Sequence, residues 1–308
     1  MSTVALLVPL LGSAAFGGLA RTVSRRLPPA QATWLLSGGA IVAAFSAAIV
    51  LGLVGAVLVG QLPELAHLGR WSSAALHDHA MTEPGVGAAA ILALAGAVVA
   101  FGAVAVRHGR AVAAAYRQSR TLPSVGSELA VIGDHSREAM ALPGRPGRIV
   151  VGRSLLCELS PRERRVVLAH ERAHLEHGHH WHRGAARLAA AANPMLRPVR
   201  GALAYATERA ADEAAAEAVG DRHEVARTVA RVSLIARAAP VPAGARFADG
   251  DVARRVSALL APAPVPRRVM TTAVVVGLAL TAVAAIVLGE RTDHLFDLAE
   301  RLYRAHGG

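Results

Sequence analysis

Ser160-Pro-Arg-Glu163-Arg-Arg-Val-Val-Leu-Ala-His170-Glu171-Arg172-Ala173-His174 is the stretch that decides how this chain is read. Ser160 and Glu163 have the spacing of a capping box, and Pro161 suits a first helical position, so a helix is predicted to open here. It runs through Val166, Val167 and Leu168 toward Gly178, a C-terminal stop. His170 and His174 are close to one helical turn apart and project from one face, with room for a single ion between them. Together with Glu171 they spell H-E-x-x-H, in which two imidazoles bind zinc and the glutamate beside the first acts as base. Chance alone supplies this pattern about 0.03 times in a chain of this composition, so support is needed from elsewhere.

That support lies downstream in Ala-Thr-Glu208-Arg-Ala-Ala-Asp212-Glu213-Ala-Ala-Ala-Glu217, an excellent helical sequence. Glu208 and Asp212 share a face. Glu208 can supply a third zinc ligand, and Asp212 can accept a hydrogen bond from a ligand imidazole and fix its tautomer. Three protein ligands leave a fourth position for water, which Glu171 can deprotonate. An oxyanion donor should complete the site. Tyr205, one turn before Glu208, is a candidate, as are His179, His180 and His182. The tract His177–His182 is expected to be a solvated helix end rather than a second metal site. Arg148-Ile-Val-Val-Gly152 reads as a β-branched strand, either an edge that pairs with an extended substrate or a core strand of a small sheet.

The rest of the chain is greasy. Hydrophobic residues make up 53% of it and its mean hydropathy is +0.39, which points to a bilayer. Four uncharged segments of spanning length are expected as transmembrane helices, at 4–20, 34–62, 86–106 and 269–289. The first has no positive n-region and is read as a retained span rather than a secretory signal. Every one of the 33 basic residues is Arg, and their placement gives an orientation. Arg21, Arg25 and Arg26 follow span one, and Arg107, Arg110, Arg117 and Arg120 follow span three, all without nearby acids. Glu64, Asp78 and Glu83 crowd the loop between spans two and three. Both termini are therefore expected outside and residues 107–268 in the cytoplasm. Gly12, Ser13, Gly17, Gly52, Gly55 and Gly60 allow close helix approach, within one chain or in a homodimer.

Several classes are excluded. Aromatics at 4% supply no stacking platform for single-stranded nucleic acid. Charge-free spans offer no ion pathway for a transporter. The single cysteine, Cys157, permits no internal disulfide and is expected to be a small buried hydrophobe.

The motifs Leu142-Pro-Gly, Arg148-Ile-Val-Val-Gly-Arg-Ser-Leu-Leu156, Leu159-Ser-Pro-Arg-Glu163, His170-Glu-Arg-Ala-His174, Glu208-x-x-Ala211-Asp212 and Arg254-Arg-Val-Ser-Ala-Leu-Leu260 together resemble the BlaR/MecR antirepressor-type membrane metallopeptidases. HtpX and the CAAX prenyl proteases, more distant relatives, share the first zinc motif and E-x-x-x-D. Three spans before the catalytic part and one after it are similar to the BlaR/MecR layout. The resemblance implies a mainly α membrane protein: four transmembrane helices, with a small α+β gluzincin-like zinc metallopeptidase domain inserted between helices 3 and 4. The expected divisions are a membrane domain (1–106), the cytoplasmic catalytic domain (107–268), the fourth helix (269–289) and a short extracytoplasmic tail (290–308). The resemblance implies one Zn2+ per chain on His170, His174 and Glu208, with Glu171 as base, in a bacterial plasma membrane. About twenty residues follow Gly289, too few for the large sensor domain of the penicillin receptors, so β-lactam sensing by this chain is not expected. The expected activity is cleavage of a cytoplasmic protein, a winged-helix repressor or the chain itself. HtpX-like quality control and a non-proteolytic zinc-binding scaffold are the alternatives.

Overall fold

The computed structural model describes residues 4–80, 82–123, 128–133, 136–237 and 249–305. It is mainly α. In chain order it runs α1 (Val4–Arg26), α2 (Pro29–Gly60), α3 (Pro63–Gly69), α4 (Ser73–Asp78), α5 (Pro84–Thr121), β1 (Leu129–Ile132), β2 (Ala139–Leu142) and β3 (Arg148–Gly152). There follow α6 (Arg153–Glu158), α7 (Pro161–Glu176), α8 (His179–Ala192), a 3-10 turn (Pro194–Leu196), α9 (Arg197–Val219), α10 (Arg222–Arg237), α11 (Asp249–Leu260) and α12 (Arg268–Ala305). Among the described residues four helices, α1, α2, α5 and α12, are long and apolar enough to cross a membrane. In sequence the sheet and α6–α11 lie between α5 and α12.

At 38 residues each, α5 and α12 are longer than a hydrocarbon core about 30 Å thick requires. α5 crosses the expected boundary at 106/107 without a break and runs to Thr121. The expected tail is also helical as far as Ala305, and its last three residues, 306–308, lie outside the described residues. It is not a loose end. Phe296 packs edge-on against Trp71, the Ser72 N–H donates to the Ala299 carbonyl at 2.9 Å, and Ala75 and Leu76 of α4 share a core with Ala299.

The largest core does not separate a membrane part from a catalytic part. It runs from Phe16, Ala20 and Val23 of α1 and Leu36 and Ala40 of α2 into Ala186 and Ala190 of α8 and Val199, Leu203 and Ala206 of α9. α8 and α9 form a hairpin, and its turn is wedged against α1. The wedge depends on Gly17, where a Cβ would sit 2.1 Å from the Met195 carbonyl oxygen. Other small residues serve contacts inside the chain in the same way. Gly12 faces Thr281, Gly55 faces Ile91, and Ser13 Oγ donates to the Ala43 carbonyl at 3.1 Å.

The sheet is small, with order β1-β3-β2; β1 pairs with β3 in parallel and β2 in antiparallel fashion. The strand Arg148–Gly152 is therefore central and cannot accept an added strand, because both its neighbours are taken. The edge nearest α7 is β2, whose short run Ala-Met-Ala-Leu carries little β signal. The expectation for Cys157 also fails, since it is exposed. Leu155 in the six-residue helix α6 and Leu159 just after it take the inward positions at 0% and 3% exposure, and Cys157 between them is left on the outer face.

The wedge gives a direct test. Gly17→Ala should cost about 1–3 kcal/mol by forcing a methyl group against main chain. Gly18→Ala, with nothing within 4 Å of the added carbon, should not lower stability. Thermal melts of the two purified variants in detergent should separate them, and equal melts would contradict the wedge.

Candidate metal centre

The helix that carries the zinc motif is built as its sequence suggests. Ser160 Oγ accepts from the Glu163 N–H at 3.3 Å and Glu163 Oε2 accepts from the Ser160 N–H at 2.8 Å, closing the capping box. Glu163 also takes Arg231 of α10 at 2.8 Å. α7 ends at His177 and Gly178, with Gly178 in the left-handed region at φ 58°. α9 crosses α7 and brings Glu208 and Asp212 over the two histidines.

Three donor atoms converge. His170 Nε2 and His174 Nε2 are 3.2 Å apart, and the Glu208 carboxylate oxygens lie 3.5 Å from the first and 3.6 Å from the second. A tetrahedral ion with bonds of about 2.0–2.1 Å holds its ligands about 3.3–3.4 Å apart, so two imidazoles and one carboxylate at these separations fit Zn2+. The other nitrogens are also held. His170 Nδ1 is 3.0 Å from Asp212 Oδ1, which makes Nδ1 the protonated nitrogen and turns Nε2 to the centre. His174 Nδ1 meets His179 Nδ1 at 2.7 Å, a contact that occupies the nitrogen pointing away from the centre.

Two arginines complete the surroundings. Arg255 of α11 grips Asp212 through Nε and Nη2, both at 2.7 Å, and reaches Glu208 Oε2 with Nη1 at 3.0 Å. Arg183 of α8 donates to Glu208 Oε1 at 2.5 Å and to Thr207 at 2.8 Å. Sequence reasoning missed both in these roles. Arg255 lies within the Arg254–Leu260 stretch that carries the family resemblance, the one signal that could have drawn attention to it.

The electrostatics follow. Burial acts against charge on His170, but its bonds to Asp212 and Glu208 outweigh that and raise its pKa to about 9. His174 is pushed down to about 3, first by burial, with the positive charges of His170, Arg183 and Arg255 adding to it. Burial favours neutral Glu208 and Asp212 too, yet their histidine and arginine partners hold both carboxyls below their ordinary values. Glu171 goes the other way. Burial raises its pKa, while the charge on His170 and the Ala141 N–H of β2 restrain the rise.

Glu171 lines a cleft on either side of the donor triangle. One side, about 340 Å³, is walled by Met140, Val167, Val232 and Arg255, and the other, about 420 Å³, by Ala141, Pro143, His179 and Arg183. Tyr205 lines neither. Its ring lies 5.9 Å from the Arg209 guanidinium, which itself donates to the Ser24 carbonyl at the end of α1. Tyr205 is therefore buried beside Arg209 and not among the residues that line the cleft at the donor triangle. Nor is the His177–His182 tract a single solvated end. His177 Nδ1 bonds the Ala173 carbonyl at 2.9 Å, His179 is buried against His174, and His182 meets Ser37 of α2 at 2.8 Å. His177 and Trp181 are exposed, while His180 and His182 are half-buried.

The model of Peptidase family M48 matches residues 109–192, from within α5 to the end of α8. The match takes in His170, Glu171 and His174 and stops before Glu208, and it supports a metallopeptidase of membrane type. Comparison with curated proteins and with solved structures gives no significant match.

Proton linkage makes the centre testable. In the metal-free protein the raised His170 pKa contributes stability that is complete below about pH 6.5 and lost as pH rises through about 9. Zinc must expel that proton, whereas His174 carries none near neutrality. Calorimetric titration at pH 7.5 in buffers of different ionisation enthalpy should therefore show about one proton released per zinc, and apparent affinity should rise about tenfold per pH unit up to about pH 9. Arg255→Ala should strand a buried Asp212 carboxylate, costing about 3–5 kcal/mol in stability and about 10–100-fold in zinc affinity. Competition against a chelating dye would measure the second effect.

Proposed function

We propose that this protein is a membrane-embedded zinc endopeptidase that cuts a protein at the cytoplasmic face. The observation that carries the reading is the triangle of His170 Nε2, His174 Nε2 and the Glu208 carboxylate, with Glu171 beside it and an open strand edge above. Bound zinc would supply Lewis-acid polarisation of the scissile carbonyl and acidify a water. Glu171 would take a proton from the attacking water on its carboxylate and pass it to the amine nitrogen as the C–N bond breaks. Burial raises its pKa, which favours a group that must accept a proton. Asp212 and His179 hold the two imidazoles in the rotation that points Nε2 inward.

β2 is the proposed docking edge for substrate. The Gly152 N–H donates to the Glu138 carbonyl at 2.8 Å, so the antiparallel alternation turns the main-chain groups of Ala139 and Ala141 away from β3. A peptide in extended form can pair with that edge and pass over the donor triangle. The Ala141 N–H already reaches Glu171, which couples the edge to the base.

The orientation, with both termini outside and the cleft on the cytoplasmic side, rests on the arginine distribution. Three candidate spans before the centre and one after it support an antirepressor-like role, with a winged-helix repressor or the chain itself as substrate. A second reading, quality control of membrane proteins, is favoured by the position of the cleft. His182, three residues past His179, is bonded to Ser37 of α2, which ties the centre to a candidate span.

Glu171→Gln should retain zinc and lower cleavage by about 10²–10⁴-fold. Metal content and turnover should be measured on one preparation, and quantitative proteomics of cells carrying either form should reveal substrates that accumulate in the variant. Cleavage that persists with zinc bound would remove Glu171 as base.

A further inference from the structure

A groove of about 610 Å³ lies between α5 and the α8–α9 hairpin, away from the metal centre. Arg107, Arg187, Arg197 and Arg200 line it, with His108 at its rim, and its floor is alanine, including Ala103 and Ala190. All four arginines are exposed, and no ion pair engages any of them among the described residues. This contrasts with Arg183, Arg222, Arg231 and Arg255, each of which is spent on a carboxylate. α9 also opens here with no acid in its first turn and no capping side chain, adding the positive end of its dipole to the same space.

The depth of the groove is set by α5. Arg107 is the first charged residue of that helix, after an uncharged run that begins at Pro84, so the groove lies where the apolar length ends. Beyond it, α5 presents exposed Val98, Val99 and Phe101 with no protein to cover them. Four unpaired guanidinium groups against an alanine floor, continuous with a bare apolar helix face, call for a ligand that is anionic at one end and apolar at the other.

We propose that the groove binds the headgroup of an anionic phospholipid, with the arginines on its phosphate and its acyl chains along α5. A basic pocket between helices at the membrane surface is suited to such headgroups, and guanidinium forks match phosphate oxygens. Such a lipid would bridge α5 to the hairpin that carries Arg183 and Glu208.

The test uses the full chain, reconstituted in vesicles of phosphatidylcholine alone or mixed with phosphatidylglycerol, then extracted and examined by native mass spectrometry. Phosphatidylglycerol should be retained by the wild type over phosphatidylcholine. It should be retained roughly 30-fold less by the double variant Arg187→Gln, Arg200→Gln, given the usual contribution of each basic residue at an anionic surface. A second double variant, Arg162→Gln with Arg165→Gln on α7, removes the same charge elsewhere and should retain lipid as the wild type does. Equal loss in both variants would reduce the effect to net charge and overturn the site. Inorganic phosphate is the remaining arm. If it displaces the lipid or protects the protein against heat equally well, the groove is a free-anion site and the lipid assignment fails. The readout is retention rather than cleavage, so failure here leaves the peptidase reading untouched.

Discussion

Asp212 is the carboxylate on which the centre depends. It is 1% exposed, lies on α9, accepts from His170 on α7, and is held in two-point fashion by Arg255 on α11. An isolated carboxylate at that burial would be intolerable, and so would an isolated guanidinium beside it. Each demands the others, and three helices distant in sequence are thereby fixed at one point. The position of Glu208 one turn earlier, and the direction of the His170 ring, follow from that constraint. Hydrophobic packing of Val166, Ala215, Val225 and Leu259 then fills the space behind it.

The same helix is anchored on another of its faces by different means. Arg209, the residue after Glu208, is buried without an acid partner and donates instead to carbonyls at the end of α1. A cation there is compensated by the negative end of the α1 dipole and by carbonyls that otherwise lack partners. Consecutive residues of α9, about 100° apart around the helix, therefore serve different neighbours, Glu208 toward α7 and Arg209 toward the end of α1.

What could be read from the sequence was local. The capping box, the helix it starts, and the spacing that brings His170, His174, Glu208 and Asp212 to facing surfaces all depend on neighbours within a turn or two. The arginines of the centre could not be read. In a chain whose basic residues are all arginine, nothing local distinguishes Arg183 and Arg255 from those that mark topology, because their partners lie 25 and 43 positions away. The central place of Arg148–Gly152 was hidden for a related reason. A strand is an edge or a centre only through its neighbours, and β2 is too short and alanine-rich to announce itself. The α8–α9 hairpin escaped notice because its apolar stretch is broken by Arg187 and too short to count as a span. Tyr205 has the spacing of a neighbour to Glu208, but its ring packs beside Arg209 and outside the cleft.

α9 is unbroken from the wedged turn at Met195 to the metal centre, which makes it a lever with its fulcrum at Gly17. Glu208 lies about 16 Å along the helix from Arg197, so a tilt of about 5° about the turn carries its carboxylate through about 1.4 Å. Displacements of that size are enough to spoil the alignment of a catalytic group. The position of that carboxylate is therefore tied to how α1 and the turn at Met195 sit against one another.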